Sequence, residues 1–129
     1  MYLLIDFIHT LYINESGWNF DLIDAVQDLD CNKVIVSNIT IERLKELGID
    51  TDNIPFKLYT LEANPRKTDR KYFDRLIIEL GCEFKDLILI EHNPEVVELA
   101  QSLEIQTVLY KHKFTDIAKT MEQIKTTCE

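Results

Sequence analysis

LILIEHNPEVVELA, residues Leu87 to Ala100, decides the fold. Its first four residues, Leu87–Ile90, form an unbroken apolar run of strand length. Unbroken runs belong to strands covered on both faces. Asn93-Pro94 then reads as a helix N-cap with proline at the first helical position, where the missing N–H has no partner to lose. Val96, Val97, Ala100 and Leu103 recur on one face of the helix that follows. A buried strand that turns through Glu91-His92-Asn93 into an amphipathic helix is half of a parallel β-α-β unit.

The same alternation extends in both directions. Tyr2–Ile8 (YLLIDFI) and Lys33–Ser37 (KVIVS) read as buried strands, Phe56–Leu61 as a weaker one and Thr107–Tyr110 as the last. Helical spacing of Phe20, Leu22, Ile23, Val26 and Leu29 predicts a helix over 20–29. Thr40 caps a helix that ends at Gly48, and the stripe Tyr72, Phe73, Leu76, Ile77, Leu80 stops at Gly81. Phe114, Ile117, Ala118, Met121 and Ile124 predict a closing helix. Regular alternation with short connections implies an α/β fold: a three-layer α/β/α Rossmann-like sandwich with a five-stranded parallel sheet and right-handed crossovers. The 129 residues are expected to form a single domain, 1–129.

Ligands of such sheets bind beyond the carboxyl ends of the strands. That rule gathers Asp6 and His9 from the first strand end, Ser37 and Asn38 from the second, and Glu91, His92 and Asn93 from the fourth. Two of the chain's three histidines are in the set. With Asp6 and Glu91, His9 and His92 could form a nitrogen–oxygen site for Zn²⁺, or they could simply fill a pocket.

Composition narrows the partners. Lys and Arg number 14 against 23 Asp and Glu, a net charge of −9, which argues against non-specific binding to nucleic acid or anionic membranes. Cys31, Cys82 and Cys128 contain no CxxC pair, so neither a disulfide framework nor a zinc ribbon is expected. Reduced thiols fit a cytoplasmic protein. Met1–Ile8 lacks a basic leader, and no stretch has the length of a membrane span.

Four segments together resemble the haloacid dehalogenase-like (HAD) hydrolases. Leu3-Leu4-Ile5-Asp6-Phe7-Ile8-His9-Thr10-Leu11 fits that family's first motif, an apolar strand ending in Asp-x-Asp-Gly-Thr-Leu. Val34-Ile35-Val36-Ser37-Asn38 fits the second, and Lys67-Thr68-Asp69-Arg70-Lys71-Tyr72-Phe73 fits the third with its prolines lost. Leu89 to Ala100 fits the fourth, with Glu91-His92 where the family has Asp-Asp. The resemblance implies Asp6 as catalytic nucleophile, with Ser37, Asn38 and Lys67 as phosphate-binding residues. It implies Mg²⁺ held by Asp6, the backbone carbonyl of Ile8, and the Glu91-His92 pair.

Several substitutions depart from the pattern. Ile8 stands where the phosphatases keep their general acid, a group worth about 10²–10⁴ in rate. His9 stands where the family keeps a glycine, and His92 is a poor ligand for Mg²⁺, which favours oxygen. The Mg²⁺ site is therefore expected to be weakened. About eight residues separate Leu11 from the first helix, and one helix and one strand use up the segment from Asn38 to Lys67, so no cap domain is expected. The leading expectation is a HAD-like phosphatase-type domain with a degraded site, weakly active or inactive. The alternative is a non-catalytic domain that binds a protein or phosphorylated macromolecule at the open edge or at the basic run Arg66–Lys71, which as a solvated face would need no explanation. A metal-binding protein is the third reading, and self-association suits an open site.

Overall fold

Strand β1, Tyr2–Asp6, carries no polar side chain between Tyr2 and Asp6, and Leu3, Leu4 and Ile5 are fully buried. The computed structural model describes residues 1–128. After β1 comes a small antiparallel hairpin of β2 (Tyr12–Ile13) and β3 (Gly17–Trp18), then α1 (Phe20–Gln27) and β4 (Asn32–Ser37). Next come α2 (Ile41–Glu46), β5 (Lys57–Thr60) and α3 (Arg70–Leu80). The chain closes with β6 (Leu87–Glu91), α4 (Pro94–Ser102), β7 (Gln106–Leu109) and α5 (Ile117–Cys128). Five strands form one parallel sheet in the order β5-β4-β1-β6-β7.

Both faces of the sheet are covered. Side chains alternate along a strand, so Leu3 and Ile5 pack with Leu22, Ile23 and Val26 of α1, Leu44 of α2 and Ile124 of α5. Leu4 goes to the opposite face, with Tyr72, Phe73 and Leu76 of α3 and Val96 and Ala100 of α4. Each such aliphatic side chain contributes about 1.5–3 kcal/mol by leaving water. The expected three-layer sandwich is present. The helix starts follow their caps: Thr40 Oγ1 accepts from the Arg43 N–H and Asn93 Oδ1 from the Glu95 N–H, while Gly81 ends α3 at φ 66°.

The order of strands places the site. From β1 the chain builds outward through β4 and β5, then returns to the other side of β1 for β6 and β7. The crevice at such a reversal lies beyond the end of the central strand, and Asp6 is the last residue of β1.

Some boundaries differ from the sequence pattern. β1 stops at Asp6 because the chain turns at once: the N–H groups of Thr10, Leu11 and Tyr12 all donate to the Phe7 carbonyl. Phe114 lies outside α5 and is 90% exposed, and Ala118 is exposed too. The fully covered line on α5 is Thr120, Ile124 and Cys128. Phe20 begins α1 but is 65% exposed. The hairpin was not foreseen. Trp18 packs in it, stacked on Phe7 with ring centroids 5.6 Å apart.

Among the described residues the connection from Leu11 to α1 holds that hairpin alone, and the one from Asn38 to Lys67 holds α2, a 3₁₀ turn at Thr51–Asn53 and β5. Neither is a cap. No helix among the described residues is long and apolar enough to cross a membrane.

Candidate active site

Asp6 is 3% exposed, wedged where β1 ends between β4 and β6. The turn after β1 returns Thr10 onto it, and the Thr10 hydroxyl donates to Asp6 Oδ2 at 2.9 Å. Lys67 arrives from the segment ahead of α3. Its backbone N–H donates to Asn38 Oδ1 at 2.7 Å, which ties the segment to the end of β4. Lys67 Nζ then donates to Asp6 Oδ1 and Glu91 Oε1, each at 2.5 Å. Lys67 is 4% exposed and Glu91 fully buried. Glu91 Oε2 accepts the backbone N–H groups of His92 and Asn93, at 3.0 and 3.1 Å. The His92 ring Nδ1 is hydrogen-bonded to Asp6 Oδ2. All four oxygens of the two carboxylates are therefore engaged by the chain's own donors.

The electrostatics follow from those contacts. Burial alone would raise the Asp6 carboxyl. The Lys67 charge and the His92 hydrogen bond outweigh it and hold Asp6 well below the usual carboxylate range. Burial would lower the Lys67 ammonium, and the Asp6 and Glu91 charges more than reverse this. Hydrogen bonds to Asp6 and Glu91 raise His92 to about 9, against the opposing pull of burial. At neutral pH Lys67 and His92 thus face the Asp6 and Glu91 carboxyl groups as cations. Unpaired, either buried carboxylate would cost several kcal/mol, on the order of 3–5.

Ser37 and Asn38 flank the network. The Tyr72 hydroxyl accepts the Ser37 backbone N–H at 3.0 Å, and Ser37 Oγ accepts the Ile39 N–H at 3.0 Å. Asn38 does not cap α2, since Thr40 does. The expected strand-end residues Asp6, His9, Ser37, Asn38, Glu91, His92 and Asn93 line one cleft of about 280 Å³, together with Ile8 and Lys67, which the resemblance adds. Asn14 and Arg43 line it too and were missed. Arg43 lies in the first turn of α2, directly after the Ser37 strand end, and helix starts that follow functional strand ends were the available signal.

His9 takes φ 71°, the left-handed conformation that the glycine of the resembled motif would adopt freely. Its ring lies 5.2 Å from the ring of His92, centroid to centroid. Side-chain ligand atoms of Asp6, Glu91 and His92 lie within 4.8 Å of one another, close enough to hold a metal ion. His9 is not in that group among the described residues. The donor set also fits Mg²⁺ poorly. Mg²⁺ takes oxygen ligands in near-octahedral geometry, and here the oxygens already carry hydrogen bonds and the third donor is a ring nitrogen. The basic run is not a continuous patch either. Lys67 turns inward, and Arg70 pairs with Asp74 at 3.3 Å.

No family model matches the sequence, and no curated protein is significantly similar to it. The fold does have solved counterparts. A HAD-like family hydrolase of Porphyromonas gingivalis superposes with a TM-score of 0.65 at 21% identity over 82% of this chain, which spans 56% of that one. The core domain of a Streptococcus pneumoniae protein provisionally assigned as a phosphoglycolate phosphatase gives 0.64 at 16% identity, covering 98% of this chain and 96% of that one. An uncharacterised Corynebacterium glutamicum protein gives 0.64 at 13% identity, covering 98% and 93%. Likeness at these identities is a likeness of fold, and the fold is that of the HAD-like hydrolases.

Proposed function

We propose that the chain is a HAD-like, phosphatase-type domain with a degraded catalytic site, which takes phosphorylated ligands into the cleft and hydrolyses phosphomonoesters weakly or not at all. One observation carries the reading. Asp6, at the nucleophile position of the resembled motif, has Oδ1 on Lys67 and Oδ2 on both Thr10 and His92. A carboxylate so engaged is a weak base and a weak nucleophile. Attack requires one oxygen to reach phosphorus at about 3–3.5 Å, which means giving up part of this network. The leaving group then finds Ile8, which has no proton to give, and about 10²–10⁴ in rate is lost with the acid.

Ligand capture is less impaired. Two carboxylates alone would repel a phosphate dianion, but Lys67 and His92 balance them. The Ser37 hydroxyl, the Asn38 amide and the Arg43 guanidinium supply donors along the cleft wall. The non-catalytic reading, a domain that binds a phosphorylated partner, uses the same cleft and differs in turnover alone.

The test is p-nitrophenol release from its phosphate ester, which needs little leaving-group protonation. Wild type and Asp6→Asn are expected to run within a few-fold of each other and of background. Brisk wild-type turnover that disappears in Asp6→Asn would show a working nucleophile and end the degraded-site reading. Calorimetry with inorganic phosphate tests the cleft. Binding should weaken in Ser37→Ala, and no binding by wild type would remove the cleft from the proposal.

A further inference from the structure

The Glu91-His92 corner carries an inference about metal that is separate from catalysis. By resemblance, Mg²⁺ would sit against Asp6, the Ile8 carbonyl and the acid at the end of β6. In this chain Asp6 Oδ2 accepts from the His92 ring and from the Thr10 hydroxyl, and Asp6 Oδ1 accepts from Lys67. A hydrogen-bonded nitrogen and oxygen share a proton, and an ion binding that oxygen would have to displace it. Glu91 offers little in compensation. Its Oε1 is on Lys67 and its Oε2 holds two backbone N–H groups of the turn into α4. Removing Oε2 from that turn would leave two half-buried donors without these partners, at a cost of a lost hydrogen bond each.

We infer that the chain has no magnesium site: the His92 imidazole takes the place on Asp6 that the metal would need, and His92 and Lys67 together hold both carboxylates without an ion. His92 is the accessible half of this arrangement. Its side chain is 30% exposed, whereas those of Lys67 and Asp6 are 5% and 4% exposed. The exclusion is therefore reversible by a change at one half-buried position. Removing the ring frees Asp6 Oδ2 and leaves Lys67 in place.

The test reads binding rather than turnover, so it is distinct from the proposed degradation of the site. An active protein without metal would satisfy it, and an inactive protein that binds Mg²⁺ would overturn it alone. EDTA-treated wild type is melted with and without Mg²⁺, and its effect on the electron paramagnetic resonance signal of free Mn²⁺ is recorded. A site filled about a hundredfold past its dissociation constant would raise the melting temperature by several degrees. Wild type should show no shift and leave the Mn²⁺ signal undiminished. His92→Asp and His92→Ala, checked for folding by circular dichroism, should each gain a Mg²⁺-dependent shift and quench the signal. A wild-type shift overturns the inference. So does silence in the folded variants, because the exclusion would then not reside in His92.

Discussion

His92 and Asp6 couple the stability of the molecule to pH through their shared hydrogen bond. His92 titrates near 9 in the folded chain against an ordinary 6.5. Between those values the folded protein keeps a proton that the unfolded chain has lost, so stability falls as pH rises. The contribution is whole below 6.5 and gone once pH passes about 9. Asp6 works in the opposite sense. Its carboxyl is held below its ordinary value of 3.8, so its contribution is whole above that value and is lost as acid protonates the folded group. Urea midpoints measured from pH 6 to 10 should therefore decline on the alkaline side in wild type. His92→Gln, which keeps a polar side chain and cannot titrate, should lack that decline while both proteins share the rest of the profile. Identical alkaline limbs would mean that His92 does not carry its proton into the alkaline range.

Elements, rather than single residues, bring Lys67 to Asp6, and α3 is the one that matters. Tyr72, fully buried in its first turns, accepts the Ser37 N–H at 3.0 Å and donates to the Tyr59 carbonyl at 2.8 Å. One hydroxyl thus fastens the helix to the ends of β4 and β5. Tyr72→Phe keeps the ring and strands both backbone groups, a loss of about 1–3 kcal/mol. The urea midpoint should drop accordingly with an unchanged slope, and an unchanged midpoint would mean that water replaces the hydroxyl. The sequence displayed much of this level. Thr40, Asn93 and Gly81 announced their helix ends, and the apolar runs announced the strands, because those signals are local. The β2–β3 hairpin stayed hidden because two-residue strands are too short to show a period. Phe114 misled because it falls in phase with Ile117, Met121 and Ile124, although the Lys111–Thr115 turn holds it outside the helix. The inward turn of Lys67 was legible only by resemblance. Arg66-Lys67-Thr68-Asp69-Arg70-Lys71 reads locally as solvent-facing, and the residue that fixes Lys67, Asn38, lies 29 positions away.

The whole molecule is organised around β1, and this sets where it should open. β1 pairs with β4 on one side and β6 on the other, through Leu3, Leu4 and Ile5, and each of these side chains is fully buried. Exposing their amides requires separating both neighbours and both helical layers, which is global unfolding. β7 pairs with β6 alone, and Gln106 and Leu109 are exposed. Its free edge can fray without disturbing the core. Local openings of this kind span free energies from near zero up to the global value. Amide hydrogen exchange should therefore be slowest at Leu3–Ile5 and match the free energy of denaturant unfolding there, while the β7 amides exchange through smaller openings that depend little on denaturant. The candidate-site cluster spans these regimes: Asp6 ends the central strand, whereas His92 and Lys67 sit on connections. If β7 were as protected as β1, its edge would have to be covered, and self-association along β7, checked by the concentration dependence of that protection, would be the cause to examine.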